Sequence, residues 1–159
     1  MKWYVGCIVI VVLAFVAGAW GIQKPNQAGE LVRFYYYNAS LDQGPGGAEC
    51  SEKGLVAVER KSPKTQMSLQ DTIRLLLRGE IADEERAQGI TTEFPLEGLT
   101  LQHAVIENGV ATLTFADPQN KTSGGSCRVS ILRYQIEATA KQFPTVTSVR
   151  FEPEELFQP

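Results

Sequence analysis

Residues 101–115 read Leu-Gln-His-Ala-Val-Ile-Glu-Asn-Gly-Val-Ala-Thr-Leu-Thr-Phe, and this stretch decides the fold class. Asn108-Gly109 supplies the two positive-φ positions that a type I′ turn requires, between runs that alternate at period two. A two-residue turn here pairs Glu107 with Val110, Ile106 with Ala111, and Ala104 with Leu113. That register puts Ala104, Ile106, Ala111, Leu113 and Phe115 on one face, the expected core side. His103, Val105, Thr112 and Thr114 fall on the other.

Reading toward the C-terminus, Asp117 to Gly125 is rich in turn formers and predicts a loop. From about Ser126, Val129, Leu132, Ile136, Ala140 and Phe143 recur at spacings of three and four, which predicts a helix ended by Pro144. Val146 to Phe151 predicts a last strand with Val149 and Phe151 inward.

Reading toward the N-terminus, Gly89 to Pro95 is an extended connection and Asp83 to Ala87 a short turn. Ser68 with Asp71 three residues on is a capping-box-like helix start. Leu69, Ile73, Leu76 and Leu77 share one face of that helix, and Gly79 stops it. Leu55 to Arg60 and Leu31 to Tyr37 predict two strands. Val32, Phe34 and Tyr36 share one face of the latter, with Arg33, Tyr35 and Tyr37 on the other. Between these strands Asn38 to Glu52 is a long irregular loop built around Gln43-Gly-Pro-Gly-Gly47. The whole predicts an α+β fold: a mixed, mainly antiparallel sheet of about five strands, with two helices packed on one face. An N-terminal hydrophobic helix precedes it.

That N-terminal run, Trp3 to Ile22, carries no charge over a length that spans a bilayer as a helix. Lys2 marks the cytoplasmic side. Two readings stay open. Val5 to Val16 followed by Ala17-Gly18-Ala19 fits a cleaved signal peptide. Trp3, Tyr4 and Trp20 at the two ends fit the interfacial belts of an uncleaved anchor. The organisation is therefore 1–22 signal peptide or transmembrane anchor, 23–30 linker, and 31–159 one domain outside the cytoplasm. The 159 residues carry a net charge of −3 and one histidine. An acidic chain lacks the basic face that nucleic acid requires, and a lone histidine excludes His-pair metal motifs. Neither a cofactor nor a metal ion is expected. Cys7 lies in the apolar run, which leaves Cys50 and Cys127 as an even pair in an exported chain and so as one expected disulfide. A bridge over so long a loop is worth roughly 4–5 kcal/mol in the chain-entropy treatment.

The order and spacing of these elements resemble the GerMN domain, a module named after a bacterial spore-germination protein. The resemblance runs through most of residues 31–157. It rests on Val32-Arg-Phe-Tyr-Tyr-Tyr37, Leu55-Val-Ala-Val-Glu-Arg60, Leu69 to Gly79, Gly89 to Pro95, Asn108 to Phe115, Gln135 to Pro144 and Val149-Arg-Phe151. It implies a non-catalytic, bacterial cell-envelope module, either single-pass membrane-anchored with its domain outside the cytoplasm or secreted. The partner it implies is an envelope protein or peptidoglycan. This chain carries extra loop sequence around Cys50.

Catalysis needs convergent reactive groups, and the sequence offers few. His103 sits mid-strand without an assignable partner, and Asp83, Glu84 and Glu85 read as a solvated face. Asp117, Asn120 and Ser126 read as turn and cap residues. They also leave an alternative, a small secreted hydrolase or ligand-binding protein using the Asp117–Ser126 loop. The expected partner surface is the outer sheet face carrying Tyr35, Tyr37, His103, Val105, Thr112 and Thr114, because aromatic with short polar side chains suits recognition.

Overall fold

The computed structural model describes residues 30–62 and 68–158. The N-terminal run and the 23–29 linker stretch lie outside the described residues. Among those described, no helix is long and apolar enough to cross a membrane.

The strands are β1 (Glu30–Tyr37), β2 (Gln43–Gly44), β3 (Gly47–Ala48), β4 (Leu55–Ser62), β5 (Thr100–Glu107), β6 (Val110–Ala116) and β7 (Ser148–Glu152). The helices are α1 (Ser68–Leu76), α2 (Asp83–Ala87) and α3 (Ser126–Lys141). The hairpin register is the expected one, with Glu107 opposite Val110, Ile106 opposite Ala111 and Ala104 opposite Leu113. Asn108 and Gly109 take φ values of 50° and 85°, the left-handed pair a type I′ turn demands. A bulge lies between Leu101 and His103. The extra residue, Gln102, lets Leu101 and Ala104 both oppose core residues, Phe115 and Leu113.

The fold is α+β, but the expected single sheet of about five strands divides. β1 pairs antiparallel only with β4. A separate sheet has the order β5-β6-β7, with β5 and β6 antiparallel and β6 and β7 parallel. The parallel pair is the crossover that α3 makes possible. β2 and β3 form a small hairpin inside the loop after β1. Helices α1 and α3 pack on each other, and each also packs on both larger sheets. One apolar core joins Val32, Phe34 and Tyr36 of β1, Ile73 and Leu76 of α1, Leu113 and Phe115 of β6, and Leu132 and Ile136 of α3.

The reason for two sheets lies at the strand edges. Alternate N–H groups of β1 face away from β4, and an unpaired buried N–H is costly. Helix α3 meets them with side chains. The Tyr35 N–H donates to Thr139 Oγ1 at 3.1 Å and the Arg33 N–H to Gln142 Oε1 at 2.8 Å. Gln142 Nε2 returns a bond to the Arg33 carbonyl at 2.6 Å. At the end of the strand Tyr37 and Thr91 exchange backbone bonds of 3.0 and 2.7 Å. The outer edge of β5 is treated alike by α1. The Ala104 N–H donates to Gln70 Oε1 at 3.2 Å, and Arg74 Nη2 donates to the Leu101 carbonyl at 3.3 Å. Two edges that would otherwise join strand to strand are therefore closed by helix side chains.

Two further corrections concern burial. Ile106, expected in the core, is 37 % exposed near the hairpin tip. The tail contributes core that periodicity could not show: Phe157 is buried, and its ring lies 5.4 Å from Phe115 and 5.1 Å from Phe151.

Thr139→Val keeps side-chain shape while removing the acceptor for the half-buried Tyr35 N–H. It is expected to lower stability by about 1–3 kcal/mol in urea unfolding, whereas Thr139→Ser keeps the acceptor and loses less. Equal stability of the valine variant and the native chain would contradict the edge-closure account.

Candidate functional site

The residues expected to form one surface occupy two sheets. Tyr35 and Tyr37 lie on β1, while His103, Val105, Thr112 and Thr114 lie on β5 and β6. Tyr37 is not available for recognition at all, being 4 % exposed. The expected common face is thus corrected to a smaller one. In the β5-β6-β7 register His103 stands opposite Thr114 and Val105 opposite Thr112. Thr112 and Thr114 in turn neighbour Arg150 and Glu152. These six side chains share the face turned from the core, and Thr114 Oγ1 bonds Glu152 Oε2 at 3.1 Å. Arg150, which the sequence reading did not single out, is exposed there. An open hollow of about 310 Å³ adjoins this face along β7, lined by Val110, Arg133, Arg150, Phe151, Glu154 and Gln158. Arg133 is held by Glu137 at 2.7 Å, and its guanidinium sits 5.6 Å from the Phe151 ring centroid.

Tyr37 instead organises the loop after β1. Its hydroxyl donates to Asp42 Oδ2 at 2.5 Å. The same oxygen accepts the Ser51 N–H at 2.6 Å, and Asp42 Oδ1 accepts the Ser51 hydroxyl at 2.6 Å. The bonds from Ser51, then that from Tyr37, hold the Asp42 carboxyl below its usual range. Burial, with the bond to Asp42, pushes the Tyr37 phenol up to about 12. Burial also pushes the Tyr36 phenol up to about 12. Gly54 lies under the Tyr37 ring, where any Cβ would collide with it. This cluster fixes the segment that carries Cys50, whose Cα lies 5.2 Å from that of Cys127, within the span of a disulfide.

The Asp117–Ser126 loop closes on itself. Asp117 Oδ1 accepts the Lys121 N–H at 2.9 Å and Oδ2 the Thr122 N–H at 2.8 Å. Burial raises the Asp117 carboxyl, and the N–H donors of Thr122 and Lys121 outweigh it, so it titrates below the usual range. Arg128 binds the carbonyls of Lys121 and Ser123 at 3.0 and 2.6 Å, and its Nε bonds Glu93 at 2.5 Å. The acidic run at α2 is not wholly a solvated face. Glu85 forms a two-pronged pair with Arg60, at 2.8 and 2.5 Å, and accepts the Ala82 N–H at 2.9 Å. The bond from Arg60 leads in lowering the Glu85 carboxyl. Among the described residues no group of three or more His, Cys, Asp or Glu side chains is placed to hold a metal ion.

Residues 33–155 match the Germane family, described as sporulation and spore germination. The chain belongs to this family. No curated protein matches it significantly. Among solved structures it is similar to the tandem GerMN domains of the sporulation protein GerM from Bacillus subtilis, with a TM-score of 0.54 at 19% identity. That match covers 80% of this chain and 40% of the other, so the chain spans about two-fifths of the tandem protein. It is also similar to the first GerMN domain of the same protein alone, with a TM-score of 0.51 at 18% identity, covering 77% and 80% of the two chains. Identities this low carry the fold, and the GerMN resemblance read from the sequence is shown at that level.

The raised phenols give a direct check. A phenol whose folded pKa is raised contributes stability that is present in full below pH ~10 and is lost as pH rises through about 12. Of the five tyrosines, Tyr36 and Tyr37 are expected to ionise late in an absorbance titration, with the native fold failing as they do. Tyr37→Phe should remove one late proton, raise the acid midpoint set by Asp42, and cost about 1–3 kcal/mol. An unchanged alkaline titration in that variant would refute the assignment.

Proposed function

We propose that this Germane-family chain is a non-catalytic, extracytoplasmic module of the bacterial cell envelope, which binds an envelope protein or peptidoglycan. The family match over residues 33–155 carries the proposal, and the position of the domain behind the uncharged Trp3–Ile22 run supports it. Under this reading the chain is membrane-anchored through that run, or secreted after its cleavage, and Cys50 and Cys127 are oxidised in the compartment it enters. The binding surface is the outer face of the β5-β6-β7 sheet, with His103, Val105, Thr112, Thr114 and Arg150. It offers a flat mix of hydroxyl, imidazole and guanidinium groups of the kind that reads a peptide backbone or a glycan. The Asp117 carboxylate is already occupied by loop N–H groups, and Arg128 of α3 by loop carbonyls and Glu93, which does not favour the hydrolase alternative.

A photo-crosslinking side chain placed at Val105 or Thr112 in intact cells should trap one envelope protein or a glycan strand, while the same group at Glu84 on α2 should not. The full-length chain should enter detergent extracts only, or appear with a mature N-terminus at Trp20 if the run is cleaved. Identical adducts at Glu84, or a full-length soluble cytoplasmic chain, would overturn the proposal.

A further inference from the structure

The start of α3 is built unlike an ordinary helix start. Its N-cap is Gly125, with φ −64° and ψ 144°, so no side chain accepts from the first-turn N–H groups. This is not forced by space, because a Cβ on Gly125 would meet nothing within 4 Å. No acidic residue stands in the first turn of this 16-residue helix. The second helical residue, Cys127, is therefore set on bare N–H groups at the positive end of a long helix, and it is exposed. Its partner Cys50 is half-buried and has φ 55°, a backbone conformation that few non-glycine residues adopt.

The charged groups about the bridge leave this field standing. Arg128 follows Cys127 and is paired with Glu93. On the other side Glu49 is neutralised by Lys53 at 2.9 Å. Asp42 is enclosed by Tyr37 and Ser51. The loop side has hydrogen bonds of its own besides the bridge. The Glu49 N–H bonds the Asp42 carbonyl at 2.9 Å and the Asn38 N–H bonds the Gly54 carbonyl at 2.8 Å, in addition to the Tyr37 cluster.

We propose that the Cys50–Cys127 bridge is a reducible latch, opened and closed by a dithiol protein of the envelope, with Cys127 as the sulfur that leaves and returns as thiolate. The latch rests on the oxidised bridge proposed above. A thiolate of the dithiol attacks Cys50 Sγ, the Sγ–Sγ bond breaks, and its electron pair departs on Cys127, where the helix N-terminus stabilises it. The second thiol of the reductant gives up its proton and attacks its own sulfur in the mixed disulfide. Cys50 is released and takes the proton, so the chain gains two electrons and the reductant ends as a disulfide. Opening frees the start of α3 from the Asn38–Glu52 loop while both keep their own hydrogen bonds.

The test is site-resolved alkylation of the full chain in detergent, with Cys7 read on its own peptide. A non-reducing peptide map first establishes the bridge, whose absence would overturn bridge and latch together. After reduction, Cys127 should react with iodoacetamide at pH 6 about fivefold or more faster than Cys50. Gly125→Asp supplies the missing cap and should slow Cys127 alkylation, and reduction of the bridge by dithiothreitol, about two- to fivefold. The Cys50 rate and the helical circular dichroism should stay unchanged. Equal rates at the two cysteines, or a capped variant whose bridge opens as fast as the native one, would overturn the latch and leave the bridge in place.

Discussion

The N–H groups of Arg33 and Tyr35 point away from β4 toward a space that no strand fills. How they are satisfied sets where α3 lies against β1. Thr139 and Gln142 on α3 take the place of a strand, so α3 must lie along β1 in one register and at one rotation. With α3 fixed there, the stripe of Val129, Leu132, Ile136 and Ala140 enters the core, and the chain leaving the helix returns as β7 beside β6. Gln70 and Arg74 make the corresponding closure at β5. The two sheets are thus separate because helix side chains terminate them, and the remaining long faces are free to serve the surface.

The Tyr37–Asp42–Ser51 cluster applies the same logic to the loop. A buried carboxylate is tolerable only with donors on both oxygens, and here a phenol, a hydroxyl and a backbone N–H supply them. The loop is held from inside, so the proposed bridge to α3 ties together two pieces that each have hydrogen bonds of their own. The face proposed for partners and the bridge lie on different elements, so a change at one need not disrupt the other.

Much of this was legible in the sequence. Asn108-Gly109 dictates the hairpin and its register, and the three-four spacing from Val129 dictates α3, because both signals are local and periodic. The pairing of Cys50 with Cys127 was expected by elimination, and the fold brings their Cα atoms within 5.2 Å. The division into two sheets was not. Thr139, Gln142 and Gln70 read as ordinary polar helix positions, and nothing in their spacing says that they face a strand edge 34 to 109 residues away. Tyr37 alternates correctly onto the outer face of β1, yet the long loop folds over it, and only the tertiary position of Asp42 reveals that. Arg150 was passed over because a single cation on a short strand has no pattern of its own. Phe157 was missed because it sits beyond the last periodic segment.

Native-state hydrogen exchange resolved by residue tests the edge-closure claim most directly. In the parallel pairing with β6, the Ser148 N–H bonds the Gly109 carbonyl, so the alternate residues Val149 and Phe151 face the open side of β7. The account predicts that the Arg33, Tyr35 and Ala104 amides exchange as slowly as core ladder amides such as Leu113, while Val149 and Phe151 exchange fast. Fast exchange at Tyr35 and Ala104, with Leu113 still protected, would contradict it.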